Sequence, residues 1–426
     1  MLNHNQLVCL DTNEKIYDDG YVLSNPNAKN PAFLRPVYFS NKIKVDDRLP
    51  GLYRYSDKLP INRILEGSSS PVTYKSKGLS EYLGLKELYI TFNGYWPEKK
   101  AYMTTGTFKE CEAYSVCARL PKDADKVLTV ASAGNTARAF IKVCSDNKIP
   151  LVMVVPFKNL NSIWAVKKPD PCVKIIAAAG NSDYFDAINL STVIAGIPGF
   201  INEGGAKNVA RRAGMGTTVF SCVEVSEKIP DYYFQAIGSG TGAIAAYESN
   251  LQLMESEDYE NKKMKLILSQ NAPFLPIVEA WNEKSKHIKQ MSSEESEKCL
   301  KDIIATVLTN RNPPYSIKGG LYDVLNDTDG EVLPVTNGEA IKAMEIFKKT
   351  EGIDICPESG VATASLINYI FEKKIDTNKT VMLNITGGGN EMIKRDFNIQ
   401  PVEPTVTVMH KDFNSEAMSR LLKSIF

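Results

Sequence analysis

The sequence has no excess charge of either sign, since its 50 lysines and arginines are matched by 50 aspartates and glutamates. A strongly basic composition is the usual sign of a nucleic-acid or membrane-surface partner, and this balance favours neither. No run of about 18 uninterrupted apolar residues occurs, which argues against a membrane-spanning helix. The first residues contain no basic segment followed by an apolar one, so we expect a cytoplasmic protein.

Cysteine pairs are also missing, because the eight cysteines are scattered without a Cys-x-x-Cys spacing. They are Cys9, Cys111, Cys117, Cys144, Cys172, Cys222, Cys299 and Cys356. Single cysteines favour reduced thiols in a cytoplasmic protein over a disulfide framework. Cys9 has no cysteine partner before Cys111, and His4 alone cannot complete a tetrahedral zinc site. We therefore expect no metal and interpret the opening of the chain as a structural cover.

Apolar runs of strand length alternate with helical segments over much of the chain. The clearest runs cover residues 127–130, 149–155, 173–177, 232–237, 264–268 and 381–385. Such runs, separated by helices, predict α/β architecture with a mostly parallel sheet buried on both faces. Hydrophobic spacing also predicts helices over residues 294–308 and 415–426.

The length of 426 residues allows two domains with substantial cores. We expect the smaller domain to span about 107–205 and the larger one to take residues 1–106 and 206–426. A ligand would then lie in the cleft between the two domains, where binding sites commonly form.

A lysine motif occupies residues 102–116, where a loop of small residues leads into a segment with helical spacing. Lys109 falls about where that helix begins, beside unpaired backbone N–H groups that disfavour a protonated ammonium. A lysine in this position loses its proton more easily, as a Schiff-base lysine must. Taken alone, the motif favours an ordinary solvated lysine, because an exposed long side chain is the usual case.

Three glycine-rich turns follow apolar runs further along the chain, at residues 131–135, 238–242 and 386–389. A strand, a tight turn and a helix N-terminus together present backbone N–H groups to a phosphate or a carboxylate. One lysine combined with three such turns suggests a cofactor that carries both a phosphate and an aldehyde.

The order Gly-Thr-Phe-Lys, Ser-Ala-Gly-Asn, Gly-Ser-Gly-Thr-Gly and Thr-Gly-Gly-Gly resembles the fold-type II pyridoxal-phosphate enzymes, in particular the threonine synthases. The likeness continues through residues 66–71, 208–217 and 358–362, and it reaches about residue 390. The resemblance implies two doubly wound α/β domains with mostly parallel sheets and pyridoxal 5'-phosphate in the cleft between them. Enzymes of this class are usually homo-oligomers.

The resemblance also implies a role for each motif. Lys109 would form the Schiff base with the cofactor and remove the α-proton of the substrate. Asn135 would donate a hydrogen bond to the ring hydroxyl, and Thr386 would meet the ring nitrogen with its hydroxyl. The cofactor phosphate would lie against a turn where a Cβ would block close approach, formed by Gly238, Ser239, Gly240, Thr241 and Gly242.

Anionic substrates would need cationic or polar partners near this site, because arginine suits a tetrahedral dianion and lysine adds a point charge. The candidates are Ser132, Arg138, Lys207, Asn208, Arg211 and Lys318. For each basic residue taken singly, a solvated surface role is about as compatible with the sequence as a ligand role.

Two motifs depart from the usual threonine synthase pattern. Residues 107–110 read Thr-Phe-Lys-Glu in place of Ser-Phe-Lys-Asp, and residues 386–391 lack the histidine and lysine of Thr-Gly-His-Gly-Leu-Lys. Threonine synthesis needs a second proton removal at the β-carbon, and these changes are compatible with its loss. An aromatic loop at residues 93–97 is a further difference, and the sequence alone leaves open whether it serves packing or the site.

These departures resemble the branch of the threonine synthase family that converts O-phospho-L-serine and sulfite to L-cysteate and phosphate, on the way to coenzyme M. Threonine synthesis from O-phosphohomoserine and water is the alternative. A third hypothesis is a ligand-sensing relative without activity, and the intact Lys109 argues against it because a binding module needs no Schiff base.

Overall fold

The structure, a computed structural model, describes residues 4–180, 182, 184–373 and 375–426. Its strands are β1 (His4–Cys9), β2 (Lys15–Tyr17), β3 (Leu34–Tyr38), β4 (Val72–Lys75), β5 (Glu87–Phe92), β6 (Tyr95–Trp96), β7 (Ala101–Tyr102), β8 (Val127–Ala131), β9 (Leu151–Pro156), β10 (Trp164–Ala165), β11 (Val173–Ala178), β12 (Phe200–Asn202), β13 (Tyr232–Ala236), β14 (Lys265–Asn271), β15 (Glu331–Val335), β16 (Thr380–Ile385), β17 (Gln400–Pro401) and β18 (Val406–Val408).

The α-helices are α1 (Gly78–Leu83), α2 (Lys109–Arg119), α3 (Asn135–Asp146), α4 (Tyr184–Ala195), α5 (Val209–Ser226), α6 (Thr241–Glu255), α7 (Pro276–Asn282), α8 (Ser293–Asp302), α9 (Leu321–Asp327), α10 (Asn337–Glu351), α11 (Pro357–Lys373), α12 (Asn390–Asp396) and α13 (Ser415–Ile425). Short 3₁₀ helices cover Gly51–Lys58, Pro97–Lys99, Phe157–Ser162, Gly205–Lys207, Thr306–Leu308 and His410–Asp412. No helix of the described residues is long and apolar enough to cross a membrane.

The larger sheet has six strands in the order β15-β14-β13-β16-β5-β4. Neighbouring strands are parallel except at one edge, where β4 runs antiparallel to β5. Every residue of β16 is buried. Val381 and Leu383 pack into one core with α10 and α11, whereas Met382 packs into another core with α5, α6 and α9. Helices therefore cover both faces, as the apolar runs predicted.

The smaller sheet has five parallel strands in the order β12-β8-β9-β11-β18. On one face, Met153 packs with residues of α2 and α3 such as Ala113 and Phe140. On the other face, Val154 packs with residues of α4 and α13, among them Leu422. The predicted α/β class with mostly parallel sheets is confirmed.

The smaller sheet also takes a strand from the far end of the chain. Strand β18 pairs with β11 through residues 176–178, and Met418 and Leu422 of α13 pack behind it. The prediction assigned this C-terminal segment to the larger domain, because a strand of three residues gives no clear signal in the sequence. The boundary at 107–205 stays a prediction, and these contacts favour adding residues 406–425 to the smaller domain.

One predicted helix is shorter than expected. The sequence predicted helix over residues 294–308, but α8 ends at Asp302. The side chain of Asn337 donates to the Asp302 carbonyl and accepts from the Ile304 N–H at 3.2 Å. Asn337 lies on α10, and its side chain provides the hydrogen bonds that these two backbone groups would otherwise make within a longer helix. The end of α8 therefore depends on a residue distant in sequence, which hydrophobic spacing could not predict.

The N-terminal segment forms a three-stranded antiparallel sheet of β2, β1 and β3. It is attached through Arg119, which is 1% exposed and donates to both carboxylate oxygens of Asp18 at 3.1 and 2.7 Å. His4 lies 2.9 Å from the same carboxylate. Burial alone would raise the pKa of Asp18, but the hydrogen bond from His4 and the charge of Arg119 hold it well below its usual range. The opening of the chain is therefore a cover anchored by a buried ion pair.

We expect Asp18→Asn to lower the free energy of unfolding by about 3–5 kcal/mol, because Arg119 would lose its buried counter-charge. The native pKa of Asp18 is depressed, so this stability is present above about pH 4 and is lost as the pH falls through that native pKa. Urea unfolding at pH 7 measures the difference. The exposed pair of Asp46 with Arg48 provides the control, and Asp46→Asn should leave stability almost unchanged. Equal effects of both variants would contradict the anchoring role.

Candidate active site

The loop before α2 is bound to the end of β16 by backbone hydrogen bonds. Thr107 forms an antiparallel bridge with Gly387, and the Phe108 N–H donates to the Thr386 carbonyl at 3.0 Å. A Cβ atom on Gly387 would lie 2.9 Å from the Gly106 carbonyl oxygen, so the two backbones can approach only because glycine stands there. This contact fixes the first residue of α2 beside Thr386.

Lys109 is that first residue, and its ammonium group lies against a buried carboxylate. The Nζ atom is 3.0 Å from Glu112 Oε2 and 3.9 Å from the sulfur of Met215. The Glu112 side chain is fully buried, and its Oε1 accepts from the Thr136 hydroxyl at 2.7 Å. Because Thr136 follows Asn135 in the chain, Glu112 connects the lysine motif to the Ser-Ala-Gly-Asn turn.

Arg211 completes a buried charge network around Glu112. Its Nη1 atom lies 3.0 Å from Glu112 Oε1, and its other nitrogens bind Glu203 at 2.8 and 2.5 Å. Burial would raise the pKa of Glu112, but the charges of Arg211 and Lys109 hold it below its usual value. Two carboxylates already neutralise Arg211, so the geometry favours a structural role over its predicted contact with a substrate anion, which stays untested.

Asn135 begins α3 directly after β8, and both ends of its amide are engaged. Its Nδ2 atom donates to Glu358 Oε1 at 2.9 Å, while Arg138 Nη2 donates to its Oδ1 at 2.6 Å. Arg138 lies 4.6 Å from the ring centroid of Trp164, and its buried Nε has no hydrogen-bond partner among the described residues. Burial raises the pKa of Glu358. Arg138 therefore retains a donor that a ligand could use.

The turn between β13 and α6 consists of Gly238, Ser239, Gly240, Thr241 and Gly242. Gly240 is the N-cap of α6, with a φ of 75° and no side chain to cap the helix, and the Ser239 hydroxyl accepts from the Thr241 N–H at 3.3 Å. The hydroxyls of Ser239 and Thr241 lie 2.8 Å apart. A Cβ atom on Gly242 would approach the Phe108 ring to 3.2 Å, so the turn packs against the residue before the lysine. A helix N-terminus with glycine at its N-cap suits a phosphate.

The four motifs therefore meet at one place, and together they fit pyridoxal phosphate. They offer an amine for the aldehyde, a cradle of backbone N–H groups for the phosphate, and an amide and a hydroxyl for the ring. Thr386 is 5% exposed and adjoins the bridge that positions Lys109.

Two other predicted site residues cap helices. The Ser132 hydroxyl accepts from the N–H groups of Gly134 and Ala137 at 3.2 and 3.1 Å. Asn208 is the N-cap of α5, where its side chain accepts from the Ala210 N–H at 3.1 Å. Such contacts are turn and capping chemistry, which explains both residue types without a ligand. Their proposed substrate roles stay predictions.

The two predicted lysines are exposed. Lys207 ends a 3₁₀ turn before α5, and Lys318 is held by backbone hydrogen bonds to Pro31 and Phe33. Within the described part of the chain, neither ammonium group bonds to a residue of the four motifs. The geometry therefore gives no separate support to their roles as anion ligands.

The aromatic loop at residues 93–97 packs against the glycines at residues 387–389. The Tyr95 N–H donates to the Gly388 carbonyl at 3.2 Å, and a Cβ atom on Gly389 would lie 1.9 Å from the Tyr95 carbonyl oxygen. Trp96 is buried and packs edge to face on neighbouring aromatic rings. Of the two interpretations of this loop, the structure supports packing.

Sequence reasoning missed the two carboxylates at the site, Glu112 and Glu358. Glu112 lies three residues after Lys109, a spacing that places both on one helix face. Glu358 belongs to the segment 358–362 that resembles the threonine synthases, but nothing in that resemblance pointed to its side chain.

Residues 74–387 match the family described as pyridoxal-phosphate dependent enzymes. The structure is similar to that of maize serine racemase, with a TM-score of 0.57, 15% identity, and coverage of 76% of this chain and 92% of that chain. Serine racemase from Dictyostelium discoideum gives a TM-score of 0.54 at 19% identity, and the match covers 75% and 92% of the two chains. Fold and site together define a pyridoxal-phosphate enzyme of fold type II, so pyridoxal phosphate is the cofactor.

Curated relatives are similar over nearly the whole length. Cysteate synthase from Methanosarcina acetivorans is 42% identical over 413 residues, which cover 97% of this chain and 98% of that protein. Cysteate synthase from Methanocella paludicola is 43% identical over 392 residues, with 92% and 91% covered. The chain belongs to the family of the cysteate synthases. The resemblance predicted from the motifs is confirmed.

We expect the purified holoprotein to be yellow, and borohydride should bleach the visible band while fixing the cofactor covalently. Digestion and mass spectrometry should locate the label on Lys109, because its amine is the one placed among the four motifs. Lys142 is the internal control, since its partly buried ammonium lies on the neighbouring helix α3 and pairs with Asp146. Label on any other lysine, or unchanged labelling of Lys109→Ala, would contradict the assignment.

Proposed function

We propose that this chain converts O-phospho-L-serine and sulfite to L-cysteate and phosphate, and that it serves coenzyme M biosynthesis. The observation that carries the proposal is the full-length similarity to curated cysteate synthases, joined to an intact lysine site. We expect the enzyme to act in the cytoplasm as a homo-oligomer, the usual state of its class.

The proposed reaction exchanges one group at the β-carbon of the substrate. The bond from that carbon to the phosphate oxygen breaks, and a bond to the sulfur of sulfite forms. Bound pyridoxal phosphate supplies an electron sink for the carbanion that remains when the α-proton is lost. Lys109 Nζ takes the α-proton and returns it to the same carbon, so a second base is not required.

Four groups of the chain would hold the cofactor. Backbone N–H groups of residues 238–242 would bind its phosphate, and the Asn135 amide would bind the ring hydroxyl. The Thr386 hydroxyl would face the ring nitrogen. A neutral partner there leaves the nitrogen mostly unprotonated, which suits elimination because the carbanion is not stabilised too strongly before the phosphate leaves.

The positions of the three histidines favour β-replacement over threonine synthesis. His4 pairs with Asp18 in the N-terminal cover, His410 packs on Phe413, and His287 is exposed in the loop after α7. The four motifs, at residues 102–116, 131–135, 238–242 and 386–389, contain no histidine, so they supply no imidazole for the second proton removal, at the β-carbon, that threonine synthesis needs.

Arg138 is the residue that we propose for binding a substrate anion. Its buried Nε–H has no hydrogen-bond partner among the residues that the structure describes, and its guanidinium is held between the Asn135 amide and the Trp164 ring. A guanidinium positioned in this way can bind a phosphate or sulfite oxygen with little further loss of entropy. Arg211, by contrast, has its charge taken up by Glu112 and Glu203.

The purified protein should release phosphate from O-phospho-L-serine, and with sulfite present it should form cysteate. O-phosphohomoserine should give no threonine. Phosphate release and amino-acid analysis measure both outcomes, and Lys109→Ala should lose at least about a hundredfold in rate because it lacks the acid–base group. Threonine formation at a rate matching phosphoserine turnover would overturn the proposal and favour threonine synthase.

Replacing Arg138 tests the anion contact. We expect Arg138→Met to raise KM for phosphoserine or for sulfite about ten- to a hundredfold, the effect of losing a hydrogen bond to a charged group. Arg138→Lys should be intermediate, because it keeps the charge and loses the planar fork. The exposed Arg420 gives the matched control in Arg420→Met. Unchanged KM for both anions in Arg138→Met would exclude this role.

A further inference from the structure

We propose that Glu112 is a positioning residue that receives the ammonium group of Lys109 whenever the lysine is not bonded to the cofactor. The Lys109 Nζ lies 3.0 Å from Glu112 Oε2, and the lysine side chain is 20% exposed while the glutamate is fully buried. The proposal rests on the proposed function, because a lysine that takes the α-proton must first leave the cofactor and then carry a positive charge.

The two oxygens of Glu112 have separate partners. Oε1 accepts from the Thr136 hydroxyl at 2.7 Å and faces the Arg211 guanidinium at 3.0 Å. Oε2 faces Lys109. The carboxylate is therefore fixed without help from the lysine, and it stays in the same place when the lysine moves to the cofactor.

The net charge of the buried network favours the return of the Lys109 ammonium group to Glu112. Glu112 and Glu203 carry two negative charges, and Arg211 between them supplies one positive charge. Without Lys109 the network has one net negative charge in a buried place, where electrostatic attraction is stronger than in water. The ammonium formed by α-proton transfer restores neutrality. The proton passes from the α-carbon to Lys109 Nζ, and Glu112 gains none.

A purely structural role for Glu112 is the alternative, in which it serves to hold Arg211 and to join α2 to α3. That role predicts lower stability in a variant but no change in the chemistry of Lys109. The two roles therefore separate in measurements that report on the lysine itself.

The first measurement uses the full-length protein from which the cofactor has been removed. Its result therefore does not depend on whether phosphoserine and sulfite are the true substrates. Limiting acetic anhydride is applied, and acetylation of Lys109 is quantified by mass spectrometry relative to exposed Lys318. Glu112→Gln should raise the relative acetylation about tenfold, because the amine loses an ion-paired hydrogen bond. Glu248→Gln is the matched control, since this buried carboxylate accepts from Arg212 Nε at 2.8 Å, away from the lysine motif. The control should leave Lys109 acetylation unchanged.

The second measurement uses the holoenzyme with phosphoserine and with its α-deuterated form. Glu112→Gln should release phosphate about tenfold more slowly, with a larger deuterium isotope effect than the unaltered enzyme, because α-proton removal becomes limiting. A structural role would slow the reaction without raising the isotope effect.

Thr136→Val provides a milder variant if Glu112→Gln does not fold. It removes only the hydroxyl that fixes Glu112 Oε1, so both acetylation and the isotope effect should change in the same direction by smaller amounts. Unchanged acetylation of Lys109 in the folded variants would overturn the proposal, even if cysteate is formed. Failure to form cysteate with the expected acetylation would instead count against the proposed substrates.

Discussion

The backbone pairing between the loop before α2 and the end of β16 is the contact on which the site depends. Helix α2 packs its apolar face on the smaller sheet, whereas β16 is a central strand of the larger sheet. The hydrogen bond from the Phe108 N–H to the Thr386 carbonyl therefore connects the two sheets at the lysine. Gly387 follows from the closeness of this contact, since a Cβ atom there would lie 2.9 Å from the Gly106 carbonyl oxygen.

Buried charge is the second constraint, and two buried carboxylates lie on α2 next to Lys109. Glu110 and Glu112 are both fully buried within the first turn, where the helix dipole favours carboxylates. Each is stabilised by a specific partner, because an unpaired buried charge is costly. Glu110 accepts from the Thr105 N–H and so fixes the loop before the lysine, and Glu112 binds Arg211 and Lys109. The acidic residues of this helix thus shape the loop and the position of the ammonium group together.

The sequence sufficed for the parts of the fold and site that are encoded locally. Apolar runs predicted the parallel strands, and the order of four motifs predicted the residues that meet around Lys109. Contacts between distant segments could not be predicted from the sequence. They are the pairing of Arg211 with two carboxylates, the hydrogen bonds of Asn337 that end α8, and the addition of β18 to the smaller sheet, and all three depend on tertiary packing. Glu112 combines both situations. Its spacing from Lys109 is visible in the sequence, but its burial depends on tertiary packing and could not be predicted.

A crystal structure of the borohydride-reduced full-length protein would show where the cofactor is bonded and what holds it. We expect continuous density from Lys109 Nζ to the cofactor, with the phosphate against the backbone of residues 238–242. We also expect the Thr386 hydroxyl to face the ring nitrogen and the Asn135 amide to contact the ring hydroxyl. A phosphate bound elsewhere, or a ring that contacts neither Asn135 nor Thr386, would contradict the arrangement described for this site.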